Sequence, residues 1–198
     1  MIRVSPSSIV RTHTRRTLSQ AVRLQSGFTL IELLVAVTIL AILAQLAVPS
    51  FSYSISSYRI SSQINGWVAD AQYARAEAIK RGQTVTICLS ADGATCATGS
   101  TAWQSGWIVF ADANGSAAVD AGETILRIQT PLLNNTFVAD NNVAAITFNR
   151  DGFAVGLPAA DVTLTLHDSS NDPGLTRCVA VSTVGRTAVQ RVGTENCT

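Results

Sequence analysis

Residues able to do chemistry are sparse in this 198-residue chain, and they fall into a few groups. Glu32 lies near the start of an almost unbroken apolar run, "SGFTLIELLVAVTIL". A carboxylate among hydrocarbon is costly and marks a functional position by default. Asp112, Asn114, Ser116, Asp120 and Glu123 put side-chain oxygens at places one, three, five, nine and twelve of a loop. That is the ligand spacing of an EF-hand calcium site, but place six is Ala117, and the nearby glycine, Gly115, comes two places early. A solvated turn built from the same residue types is the competing reading. Cys88, Cys96, Cys178 and Cys197 form no C-x-x-C pair, and His167 is the one histidine past the basic head, which argues against zinc. An even cysteine count behind an export-like head points to disulfides. Cys88–Cys96 and Cys178–Cys197 are the simplest of three pairings, and four buried thiols are the alternative. No G-x-S-x-G, P-loop or H-E-x-x-H is present, and Asp151 and Asp168 sit in the turn-like "NRDG" and "HDSSND". The chain therefore reads as a non-enzyme without a cofactor, calcium being the one exception considered.

Charge and hydropathy show what must position these groups. Residues 1–27 carry five arginines and no acid; the remainder has nine basic and thirteen acidic residues, a net of −4. A basic head before an apolar run is a targeting pattern. From Phe28 to Val48 only Thr29, Glu32, Thr38 and Gln45 are polar, enough for a bilayer-spanning helix. The arginines ahead of it place residue 1 in the cytoplasm and the bulk of the chain outside. Pro49 predicts a kink rather than a stop, because apolar residues recur at spacings of three and four as far as Ile79. Lys80, Arg81 and Gly82 suit a helix end. The expectation is one kinked helix over 28–81, roughly 80 Å long, apolar all round at first and amphipathic afterwards.

Beyond Gly82 the texture becomes alternating and rich in Val, Ile and Thr: "TVTICLS", "GWIVFAD", "ETILRIQ", "AAITFNRDGFAVG", "VTLTLHD" and "RCVAVSTVGRTAVQRV". These predict about seven antiparallel strands, the last segment turning near Val184–Arg186. Trp103 and Trp107 would form a carbohydrate or partner surface, or else cover the sheet and pack on the amphipathic half-helix. The fold class is α+β: a long N-terminal helix, its first half transmembrane, packed on an antiparallel β-domain over 82–198.

"SGFTLIELLVAVTILAILAQLAVPSF" resembles the N-terminal signature of type IV pilins and type II secretion pseudopilins, with its class III signal. Gly27, Phe28, Thr29, Leu30, Glu32 and Pro49 carry the match. "WVADAQYARAEAIKRG", "WQSGWIVFADANG", "GETILR", "ITFNRDGFA" and "VSTVGR", in that order, resemble the GspH/FimT minor pilins and pseudopilins. The resemblance implies that a prepilin peptidase cuts the leader, 1–27, between Gly27 and Phe28 and methylates the new amine of Phe28. It implies inner-membrane insertion, then assembly with other pilins into a pilus or pseudopilus through the N-terminal helices. Glu32 would neutralise a neighbouring subunit's amine within about 4 Å. The function so implied is structural: initiation, priming or tip capping.

Two alternatives stand beside it. Some FimT-type pilins bind DNA through a C-terminal "GRxR" element. Here "VGRTAVQR" keeps Arg186 and has Ala188 in the second arginine's place, with Arg177 and Arg191 nearby. Residues 82–198 carry five basic and ten acidic side chains, a net of −5, so DNA would need a concentrated patch. The other alternative is an anchored, exported binding module.

Overall fold

The computed structural model describes residues 27–194 and 197, with the side chains of 46–50 outside that set. The leader expected over 1–27 lies outside the described residues except for Gly27. By its contacts the chain forms two units, Met1–Gln45 and Leu46–Thr198. A single helix, α1 (Leu30–Arg81), contributes to both.

In the first unit, α1 begins at a cap. Thr29 Oγ1 accepts the Glu32 N–H at 3.3 Å, and Leu33 N–H donates to the Thr29 carbonyl. Thr29-Leu30-Ile31-Glu32 is thus the S/T-x-x-E pattern of a capping box, with the acid in the first, electropositive turn. Every described side chain from Gly27 to Gln45 is exposed. Among the described residues no helix is long and apolar enough to cross a membrane. The described part of the apolar run stops at Gln45, whereas the span expected over 28–48 continues into side chains that are not described.

In the second unit, α1 presents one stripe to the sheets. Ile60, Ile64, Trp67, Ala71, Ala74 and Ala78 alternate at spacings of four and three and are all buried. That period keeps one helix face inward, and the alanines let the backbone approach the sheet closely. The helix ends with Lys80 and Arg81 in its last turn and Gly82 in the left-handed region at φ 65°.

Nine strands follow: β1 (Val85–Leu89), β2 (Trp107–Ala111), β3 (Ile125–Gln129), β4 (Asn135–Ala139), β5 (Ala145–Phe148), β6 (Ala154–Val155), β7 (Asp161–Asp168), β8 (Arg177–Ser182) and β9 (Thr187–Arg191). They form two antiparallel sheets, one ordered β3-β2-β1-β5-β6 and the other β4-β7-β8-β9. The sequence reading counts about seven strands in no stated division. The strand it omits is β4, and it joins β5 and β6 in one segment.

Trp67 is the centre of the core. It packs edge-on against Trp103 at 5.8 Å and Phe137 at 6.1 Å, and Trp107 meets Phe137 at 6.2 Å. Trp103 and Trp107 are thus interior, which removes the reading of them as a carbohydrate surface. Their indole N–H groups are satisfied by the Val143 carbonyl and by Asp70. β1 and β2 are buried on both faces. The face turned away from the main core holds Cys88, Ile108 and Phe110, covered by Cys96 and Val119 from the neighbouring loops.

Candidate functional site

Three groups of residues were candidates, and the structure treats each differently. The first is the helix start. Gly27 and Phe28 precede α1 outside any regular element; Phe28 is 83% exposed, and Glu32 is exposed one turn on. Leu30, Ile31, Leu33, Leu34, Leu40 and Leu43 are each more than half exposed. Burial of such side chains is worth about 1.5–3 kcal/mol each, and nothing described in this unit covers them. Pro49 lies within α1, its side chain outside the described residues.

The second group is the calcium-spaced loop, where the turn reading describes the hydrogen bonding. Asp112 is buried and accepts the N–H groups of Ser116 and Ala117 and the hydroxyl of Thr86. Asn114 and Ser116 both donate to Asp120. Glu123 accepts the N–H groups of Ala113 and Asp120. The five oxygen-bearing residues therefore close the loop on itself. Among the described residues no group of three or more His, Cys, Asp or Glu is placed to hold a metal. Hydrogen bonds from Asn114 and Ser116 hold the Asp120 carboxyl below its ordinary range.

The third group is the C-terminal arginines, of which the β8–β9 pairing sets Arg177 directly opposite Arg191 while Arg186 stands at the other end of β9. Arg177 Nη1 donates to the carbonyls of Gly174 and Thr176 and serves its own loop. Arg186 and Arg191 are exposed and line one groove of about 650 Å³ with Asp161 on its wall. The cysteines form two disulfides, Cys88–Cys96 and Cys178–Cys197. Within the first loop Asp92 accepts the N–H groups of Ala94 and Thr95 and the Thr95 hydroxyl, which hold its carboxyl far below the usual range.

Sequence reasoning missed the side chains that fasten the helix to the sheets. Asp70 accepts from Trp107 and forms an ion pair with Arg127 at 2.7 Å, while Arg127 lies over the Tyr73 ring. Arg75 Nε donates to the Gly152 carbonyl at 2.8 Å and Nη2 to the Val184 carbonyl at 3.3 Å. It thereby ties α1 to the β5–β6 turn of one sheet and the β8–β9 turn of the other. Gly185, at φ 75°, packs so tightly there that a Cβ would lie 2.1 Å from the Gly152 oxygen. The available signal was weak: Asp70 and Arg75 are polar residues on a helix whose inward face is otherwise apolar, and "NRDG" and "TVGR" read as ordinary turns.

Comparison with known proteins agrees with this arrangement. Residues 22–44 match the prokaryotic N-terminal methylation motif, and residues 63–185 match type II transport protein GspH. No curated protein matches the chain. Among solved structures, two crystal forms of the Pseudomonas aeruginosa (strain PAO1) type IV minor pilin FimU are similar. One has a TM-score of 0.50 and 21% identity over 66% of this chain and 87% of that one. The other has a TM-score of 0.48 and 21% identity over 68% and 90%. The first of these supports the pilin-like α+β fold. The GspH match spans more than half of the sequence and takes in the distal part of α1 and eight of the strands, so the chain belongs to the type II transport protein GspH family, with a class III N-terminal methylation motif ahead of it.

Proposed function

We propose that this chain is a minor pilin or pseudopilin subunit that is cut between Gly27 and Phe28, methylated on the Phe28 amine and inserted in the bacterial inner membrane. Its N-terminus is cytoplasmic until cleavage and its domain over 82–198 is periplasmic. It then joins a pilus or pseudopilus through its N-terminal helix, bent at Pro49, and acts at initiation or at the tip. One observation carries this reading: a continuous exposed apolar surface from Phe28 to Leu43 interrupted by one acid, Glu32, at the capped helix start. Exposed apolar surface of that extent belongs in lipid or against other subunits. Within a helical bundle the new amine of one subunit is a buried cation, and a carboxylate within about 4 Å offsets much of its desolvation. Glu32 supplies that carboxylate and sets the axial register of the neighbour.

The test is the mass and N-terminal sequence of the mature protein from cells with and without prepilin peptidase. A peptidase-dependent, methylated start at Phe28 is expected. A start near Ala44 to Val48 would mean a conventionally secreted domain and would end the filament reading. Glu32→Ala should leave cleavage intact and abolish incorporation into filaments.

A further inference from the structure

The second sheet ends in β9, which pairs with β8 along one side; among the described residues no strand lies along the other. Ser182 N–H donates to the Arg186 carbonyl, and bonded pairs alternate along an antiparallel ladder. With Val181 opposite Thr187 and Val179 opposite Val189, the N–H and C=O groups of Thr187 and Val189 point to the free side. A groove of about 650 Å³ lies on the sheet next to this edge and extends from β9 past Ala180 and Ser182 of β8 to Asp161 of β7. Its lining includes four consecutive residues, Ala188, Val189, Gln190 and Arg191. Asp161, Ser182 and Arg186 share one face of the sheet by their pairing, as do Ala180 and Ala188, so the groove belongs to that face and reaches the free edge at Val189 and Arg191.

Charge marks both ends of that edge. Arg186 precedes β9 and Arg191 closes it; both are exposed, and neither guanidinium has a partner among the described residues. They lie five residues apart, about 17 Å along an extended strand. The edge is also held at both ends. The turn before β9 is clamped by Arg75 and the Gly152–Gly185 contact, and the Cys178–Cys197 disulfide closes a ring that contains the whole strand. A fixed edge loses little entropy on binding.

We propose that the β9 edge is a docking site for an extended, acid-bearing segment of a different filament subunit, added as a further strand with carboxylates against Arg186 and Arg191. This rests on the filament reading above. A second copy of the chain does not fit: antiparallel pairing of β9 with itself sets Arg191 beside the other copy's Arg186, and like charges across strands repel. A nucleic acid fits less well than a peptide. The free N–H and C=O groups of Thr187 and Val189 match the backbone of another strand, and a sugar-phosphate backbone offers no N–H groups to pair with them.

The experiment is hydrogen exchange on the full chain in detergent micelles, with leader cleavage read by mass in the same preparation. The probe is a synthetic peptide of alternating valine and threonine bearing two glutamates five residues apart; a lysine version is the control. The glutamate peptide should slow exchange at the Thr187 and Val189 amides about tenfold, and the lysine peptide should not. Arg186→Glu combined with Arg191→Glu should reverse that preference. Absence of protection at millimolar peptide, or equal protection by both peptides, overturns the proposal and leaves the arginines as guards against edge-to-edge aggregation. Protection by a single-stranded oligonucleotide with none by peptide also overturns it. Failed docking with cleavage at Phe28 intact sinks the docking site alone, whereas failed cleavage sinks the filament reading.

Discussion

One helix, α1, runs through two physical regimes. From Leu30 to Gln45 every described side chain is exposed, whatever its polarity. From Ile60 to Ala78 the apolar residues fall on one stripe, and that stripe is buried. The difference lies in what completes each part. The distal stripe is satisfied within the chain by the two sheets, so it contributes to folding. The proximal surface has no such cover and is free to contribute to association. As a member of the GspH family the chain is a structural, pilin-like component rather than an enzyme, and this separation of a folding surface from an association surface suits that role.

The comparison can be broken most directly at the core. Trp67→Ala should lower stability by about 3–5 kcal/mol, read as a large fall in melting temperature of the full chain in micelles. Leu40→Ala, the equivalent truncation on the exposed part, should change it by less than about 0.5 kcal/mol and act on filament incorporation instead. Equal losses would mean that the two parts do not differ as described. Replacing Cys178 and Cys197 together by serine should cost about 2–4 kcal/mol in a denaturant titration, since the closed ring contains all of β9. Thr29→Ala should cost about 1 kcal/mol of helix-start stability. Hydrogen exchange should then rise in the first turns of α1 while the melting of 46–198 stays unchanged, which sharpens the division between the two regimes. The smallest effect concerns Asp92. Its carboxyl is held far below the usual range by the N–H groups of Ala94 and Thr95, so its contribution is complete above pH about 4 and lost as pH falls through the lowered value. Acid should therefore loosen the 90–96 loop only well below the ordinary carboxylate range, and Asp92→Asn should remove that acid step from the exchange profile.

Much of this architecture was legible in local pattern. The buried stripe from Ile60 to Ala78 is a period of 3.6, and β1, β2, β3, β7 and β8 alternate or run apolar in the way strands do. β4 was not legible, because "NNTFVADNN" holds two large apolar residues among asparagines; it becomes a strand by pairing with β7, a tertiary event. The division into two sheets is likewise non-local. The loop over 112–123 left two readings open for a chemical reason. Asp, Asn and Ser at short spacing serve calcium and serve self-closing turns equally well, and spacing cannot tell whether the oxygens face an ion or the loop's own N–H groups. Arg75 was invisible because its partners are carbonyls of two turns far away in sequence.

The Arg75 clamp has a mechanical consequence. On the proposed filament reading, a subunit drawn out of the membrane by its helix would be loaded along the helix axis. Arg75 grips turns belonging to both sheets, and Asp70 grips Trp107 and Arg127 one turn earlier. A pull on α1 is therefore carried in shear by several bonds at once, rather than peeling one hairpin and then the next. Under tension the β-domain would travel as a single load with the helix, and its weakest joint would lie outside this clamp.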